Sequence, residues 1–86
     1  MMTLEIGKSY MIRTVTYFWT GWLVSQTDDE LVLEDAAWIA DTGRWTQAIN
    51  DGELSEVEPV KCPVRINPAA VVDVCEWWHE LPRAQK

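Results

Sequence analysis

The feature that most constrains this chain is YMIRTVTYFW, residues 10–19, a run of β-branched and aromatic residues without Gly or Pro. Such residues favour extended backbone, so the run predicts a strand. Side chains alternate between the two faces of a strand, and here both sets include large apolar groups. A strand with one solvated face would alternate apolar and polar residues. We therefore expect both faces of this strand to be covered.

Four further segments predict strands, which makes the expected fold mainly β. The second strand covers residues 20–26, and Thr20-Gly21 is expected to form a bend or bulge at its start. The third covers residues 31–40 and follows an Asp-rich polar turn. Residues 60–66 and 69–78 predict the fourth and fifth strands. Pro63 within the fourth restricts that strand to a sheet edge or a bulge.

Between the third and fourth strands the spacing of the apolar residues changes from that of a strand to that of a helix. One short helix is expected there, over residues 43–50. The apolar residues of that segment recur at helical spacing: Trp45, Ala48 and Ile49. Asp41 or Thr42 is expected to cap its start, and Asn50-Asp51-Gly52 to close its end. The acidic segment after it predicts a connector.

The 86 residues predict a single domain, residues 1–86, in which residues 79–86 form a polar, frayed C-terminal tail. Five short, bent strands with a helix inserted between strands 3 and 4 predict a small five-stranded barrel. The order resembles SH3-like and Sm-like barrels. An OB-fold also has five strands and a helix, and it is the alternative.

Composition narrows the class of partner. The net charge is −7 and the seven basic residues are scattered, which argues against nucleic-acid backbones and anionic membranes. No apolar run reaches transmembrane length. Hydrophobic residues make up 48% of the chain and six are Trp, more than one small core needs. We therefore expect self-association into a homo-oligomer.

Catalysis is not expected. Nucleophilic catalysis needs a nucleophile, a base and a group that orients the base, yet the only histidine, His79, lies in the predicted tail. Cys62 and Cys75 have neither a Cys-x-x-Cys spacing nor a paired histidine, and both are expected in the core of a reduced, cytosolic protein. The expected protein is thus not an enzyme and needs neither a metal nor another cofactor.

The stretch AAWIADTGRW is the best candidate for binding. A helix start near Gly43 would present N–H groups, and Arg44 adds a forked donor. Trp38 and Trp45 flank it and suit stacking on a flat ring, while Asp41 suits a ribose hydroxyl or a base amine. Structural roles are the competing interpretation: Asp41 as a cap, Arg44 as an ion-pair partner and Trp45 as a core anchor. The remaining candidate ligand-binding residues are Thr42 beside them and four on the first two strands, Arg13, Tyr17, Trp19 and Trp22.

Nearly the whole chain resembles a family of small, mostly uncharacterised proteins of tailed bacteriophages and prophages. The segments that carry this resemblance are RTVTYFWTGWLV, LEDAAWIADTGRW, GELSEVEP and VVDVCEWWHELPR. It implies an accessory phage protein made in the host bacterial cytoplasm, but no activity. By analogy with small phage proteins that sequester nucleotide immune signals, we expect a non-catalytic protein that holds a small nucleotide-type ligand. The alternatives are a protein-interaction module, and an Sm-like binder of RNA or single-stranded DNA that the charge disfavours.

Overall fold

A computed structural model describes residues 3–86 of the chain. Its elements follow in chain order: β1 (Ser9–Thr14), β2 (Phe18–Gln26), β3 (Leu31–Asp41), α1 (Trp45–Asp51), β4 (Glu56–Pro59), β5 (Val64–Ile66), a 3₁₀ turn (Pro68–Ala70) and β6 (Val71–Glu76). The mainly β class and the single short helix are confirmed. The described residues contain six strands, one more than predicted.

The six strands form one open antiparallel sheet in the order β4-β3-β2-β1-β6. The fifth strand lies off this path, because β3 is long enough to pair with two short strands along its outer edge. The first half of β3, from Leu31 to Leu33, pairs with β5, and the second half of β3 pairs with β4. The last strand of the chain returns to pair with β1.

The first predicted strand is wrong in its extent, because the chain turns at Val15 and Thr16 instead of at Thr20-Gly21. The side chain of Thr14 stabilises this turn: its Oγ1 accepts a 2.9 Å hydrogen bond from the Tyr17 N–H and donates to the Tyr17 carbonyl oxygen. Gly21 lies inside β2, at a register shift. A Cβ there would lie 2.9 Å from the Leu33 Cβ, so glycine is required for close approach of the strands.

The second half of the chain also departs from the predicted boundaries. The predicted acidic connector contains β4, in which Val57 is buried between the polar side chains of Glu56 and Glu58. The predicted fourth strand shrinks to β5, which begins directly after Pro63, since proline has no N–H for a sheet hydrogen bond. The predicted fifth strand begins and ends two residues inside its expected limits.

The helix α1 begins two residues later than predicted and ends at Asp51; the next residue, Gly52, has a φ of 75°, the left-handed conformation expected of a terminating glycine. Neither Asp41 nor Thr42 caps it. The residue before its first turn is Arg44, whose side chain makes no capping bond. Asp41 instead accepts a 2.8 Å hydrogen bond from the Gly43 N–H through Oδ1, which fixes the turn that follows β3.

Both faces of β1 are covered, as predicted, because the sheet separates two hydrophobic cores. One core lies under α1 and the C-terminal segment: Met11, Ala37, Ile39, Ala48, Leu54, Val57, Trp77 and Leu81. The other lies on the opposite face: Tyr10, Ile12, Leu23, Leu31, Leu33, Ala36 and Ile66. The second apolar face is therefore covered by the chain itself, so it no longer argues for a homo-oligomer.

The expectation of a frayed tail is wrong, since residues 79–86 are held against the fold. Leu81 is buried in the core beside Trp77. Lys86 exchanges two backbone hydrogen bonds with Val57, each 3.0 Å, and so occupies the outer edge of β4. His79 packs over Gly52, and its Nε2 lies 2.9 Å from the Ile49 carbonyl oxygen. A paired edge is also protected from strand addition by other chains.

Candidate functional site

Three of the predicted site residues, Tyr17, Trp19 and Trp38, form a concave surface that we call the aromatic pocket. It encloses about 270 Å³ and is lined by these three side chains. Trp19 and Trp38 stand directly opposite each other on β2 and β3, so their rings share one face of the sheet. The Tyr17 ring meets the Trp38 ring edge-on, with centroids 5.6 Å apart and planes at 84°. Tyr17 remains 50% exposed and Trp38 36%.

Glu58, which was not among the predicted site residues, adjoins the aromatic pocket. It is the register partner of Trp38 across β3 and β4, and directly opposed residues project to the same face. Its carboxylate accepts hydrogen bonds of 3.1 Å from the Gln85 amide. No ion pair involves Glu58 within residues 3–86. The alternation Glu56-Val57-Glu58 was a sequence signal for this strand.

A second surface, the polar cleft, contains the centre of the DTGRW stretch. It encloses about 520 Å³ and is lined by Thr42, Gly43, Arg44, Gln47, Glu53, Leu54, Ser55 and Lys86. Four of the seven basic side chains form ion pairs with carboxylates: Lys8, Arg13, Arg65 and Arg83. The other three form none within the described residues, and two of these, Arg44 and Lys86, line the cleft. The cleft therefore holds two cations without an ion-pair partner in residues 3–86, against the single carboxylate of Glu53 in its lining.

A narrow groove of about 250 Å³ adjoins the polar cleft and shares Thr42 with it. Its other lining residues are Arg13, Phe18, Trp45 and Asp73. Arg13 donates to Asp73 through Nε at 3.1 Å and also pairs with it through the guanidinium end. Trp45 packs on Phe18 with ring centroids 5.6 Å apart and stays 38% exposed, so it anchors the helix and remains partly accessible to solvent.

The structure thus divides the ten predicted site residues among separate surfaces. Trp22 joins none of these three surfaces: it lies at the middle of β2, three residues beyond Trp19, across from Ser9 and Glu34. Asp41 is engaged with the Gly43 backbone. Trp38 belongs to the aromatic pocket, so it does not flank Arg44 as the sequence predicted. Lys86, which completes the polar cleft, carried no signal in the sequence.

The thiols and the imidazole do not assemble into a reactive centre in the part of the chain described. Cys62 is exposed, so its predicted core position is wrong, whereas Cys75 is half-buried against the first core. Burial raises the pKa of the Cys75 thiol, and the nearby Asp73 carboxylate adds to this effect. No group of three His, Cys, Asp or Glu side chains within residues 3–86 lies close enough to hold a metal ion.

Comparison with known proteins finds no match to a family model, to a curated protein or to a solved structure. Within residues 3–86, no helix has the length and apolar composition needed to cross a membrane. Function must therefore be argued from the surfaces themselves.

Proposed function

We propose that this chain is a non-catalytic binding protein whose polar cleft takes a small anionic ligand of nucleotide type. The main observation in support of this is that Arg44 and Lys86 lack carboxylate partners within residues 3–86, although the chain holds 14 acidic residues. A phosphate group would neutralise both. The planar guanidinium of Arg44 suits two parallel hydrogen bonds to phosphate oxygens, and the Lys86 ammonium adds a compact charge.

The surroundings of the two cations support a ligand larger than a simple ion. The cleft volume of about 520 Å³ falls in the range of small-molecule sites. Thr42, Gln47 and Ser55 line it and supply hydroxyl and amide groups for a sugar. Trp45 lines the adjoining groove together with Thr42 and is partly exposed, so a base could contact it there.

In this proposal the protein is a phage accessory protein of the host bacterial cytoplasm that sequesters a nucleotide immune signal, as a homo-oligomer. The sequence resemblance to tailed-phage proteins supports the setting. Within the proposal the sheet is an SH3-like or Sm-like barrel. The return of β6 to pair with β1, after the antiparallel series β1 to β3, supports that arrangement.

Calorimetry with AMP, ADP-ribose and cyclic dinucleotides tests this function. We expect at least one to bind, and Arg44→Gln to weaken binding about tenfold to a hundredfold, since hydrogen bonds to charged groups contribute about 1.5–3 kcal/mol. Lys61→Gln is the matched control, because Lys61 is the third basic residue without an ion pair in residues 3–86 and lies outside the cleft. The proposal fails if folded protein binds none of these ligands, or if both variants weaken binding equally.

The aromatic pocket favours a second candidate function, a protein-interaction module. Tyr17 and Trp38 stay partly exposed in a concavity that no other side chain of residues 3–86 lines. Partly exposed aromatic side chains are enriched at protein interfaces. Affinity capture from phage-infected cells, with wild-type protein and Tyr17→Ala in parallel, should recover a stoichiometric partner only with the wild type. Equal recovery by both would place the interaction elsewhere.

A further inference from the structure

We infer that the aromatic pocket is a binding site for an alkylammonium cation, the lysine-type side chain of a basic partner protein. This inference rests on the second candidate function above and names its chemistry. It is independent of the polar cleft, which shares no lining residue with the aromatic pocket.

The first argument is the arrangement of the rings. Tyr17 and Trp38 stand nearly perpendicular with centroids 5.6 Å apart, and Trp19 lies beside Trp38 on the next strand. The three rings therefore bound one small concavity from different sides. A cation is attracted to an aromatic face when it lies within roughly 6 Å of the ring centroid. An ammonium group inside the concavity lies within that distance of several ring centroids.

The second argument is a carboxylate beside the concavity, that of Glu58. Trp19, Trp38 and Glu58 are successive register partners across β2, β3 and β4, so the acid extends the row of rings by one strand. Its partner within the described residues is the neutral Gln85 amide, which orients the carboxylate and leaves its charge uncompensated. A cation in the pocket gains both the ring attraction and this charge, whereas a neutral apolar group gains neither.

The third argument is that the backbone of the pocket is held before any ligand arrives. The Thr14 hydroxyl holds the Tyr17 backbone at the β1–β2 turn, and strand pairing holds the backbones of Trp19 and Trp38. Binding then has only side-chain torsions to order, which limits its cost in conformational entropy. The charge of −7 then favours a basic protein as the source of the cation, because it attracts such a partner and repels an anionic membrane.

The test uses one short acetylated, amidated peptide with three different central side chains: lysine, trimethyllysine, and a neutral isostere carrying a tert-butyl group in place of the trimethylammonium. Binding is followed by calorimetry and by the indole N–H signals of the six tryptophans in ¹H–¹⁵N spectra. We expect the two cationic peptides to bind at least about fivefold more tightly than the isostere, the order of one cation–π contact. Only the signals of Trp19 and Trp38 should shift.

Two matched pairs of variants locate the effect. Glu58→Gln should weaken cationic binding severalfold, whereas Glu34→Gln should not. Glu34 also lies directly opposite a tryptophan, Trp22, but neither residue lines the aromatic pocket. Tyr17→Ala should likewise weaken binding, whereas Trp78→Ala should not, since Trp78 is 81% exposed outside the pocket.

The outcomes separate the inference from the function on which it rests. Equal affinity for the isostere and the cationic peptides would overturn the cation assignment and leave an apolar interaction site. Binding to phosphatidylcholine vesicles but to no peptide would overturn the assignment to a protein partner. Failure of every probe, together with a Tyr17-dependent partner in the capture experiment, would overturn only the cation chemistry.

Discussion

The hydroxyl of Thr20 is buried and has no hydrogen-bond partner among the described residues, so replacing this residue is predicted to stabilise the protein. Thr20 lies in the interior of β2, fully buried, across from Met11 on one side and Ala37 on the other. Its Oγ1 has no hydrogen-bond partner within residues 3–86. Valine has nearly the same shape and replaces the hydroxyl by a methyl group. We therefore expect Thr20→Val to stabilise the protein.

The size of the effect follows from the desolvated hydroxyl. An unsatisfied buried polar group costs about 1–3 kcal/mol. Removing that cost should raise the free energy of unfolding by about 1–2 kcal/mol, since some repacking against Met11 offsets part of the gain. For a chain of this size, 1 kcal/mol moves the melting temperature by about 4–8 °C.

Urea unfolding followed by tryptophan fluorescence measures this directly. The midpoint should rise while the slope with denaturant stays unchanged, because the area exposed on unfolding is the same. Thr14→Val is the control of opposite sign: the Thr14 hydroxyl holds Tyr17 through two hydrogen bonds, and its loss should cost about 1 kcal/mol. A loss of 1 kcal/mol or more in Thr20→Val would refute the reasoning, because it would mean that the hydroxyl has a partner.

Three further predictions concern the helix end, an exposed carboxylate and the thiols. Gly52→Ala should destabilise the protein by at least about 1 kcal/mol in thermal unfolding, because φ is positive there and a Cβ would lie 2.7 Å from the Cγ of the only histidine. The hydrogen bond from the Trp78 indole is the main cause that lowers the pKa of Glu76, so Trp78→Phe should raise that pKa toward its ordinary value in a ¹³C carboxyl titration. Because the pKa of Glu76 is lower in the folded state, its ionised form stabilises the protein above the ordinary carboxyl pKa. That stability is lost as the pH falls through the lowered pKa, and Trp78→Phe should lose less stability over this pH range than the wild type does. Iodoacetamide should alkylate exposed Cys62 well before half-buried Cys75, whose thiol pKa is raised by burial; equal rates by mass spectrometry would contradict this.

The β class could be predicted from the sequence, but the position of the first turn could not. Val15 and Thr16 are strong strand formers, and nothing in their composition marks a turn. The turn depends on one side-chain contact, in which the Thr14 hydroxyl takes the place of a backbone acceptor for the Tyr17 amide. Gly21 drew attention as a turn residue, yet its role is to let β2 and β3 approach closely. Contacts of this kind arise only when the strands are already paired.

Only part of the candidate site could be predicted from the sequence, because the grouping of its residues also depends on strand pairing. The aromatic residues and Arg44 were found because their chemistry is unusual at any position. Their grouping depends on register, which placed Trp38 beside Trp19 and away from Arg44. Glu58 and Lys86 were missed because an acidic segment and a polar C-terminal stretch look solvated in sequence. Leu81 is the one large apolar residue in that stretch, so no periodicity revealed that it is buried.

The placement of β1 between the two cores has a consequence for how the protein loses its structure. Met11 contributes to one core, while Tyr10 and Ile12 contribute to the other from the same short backbone segment. Because β2 and β6 pair along its two edges, β1 cannot leave without opening both cores at once. We therefore expect the two cores to unfold together as one cooperative unit, and the interior amides of β1 to exchange hydrogen with solvent only through that global event.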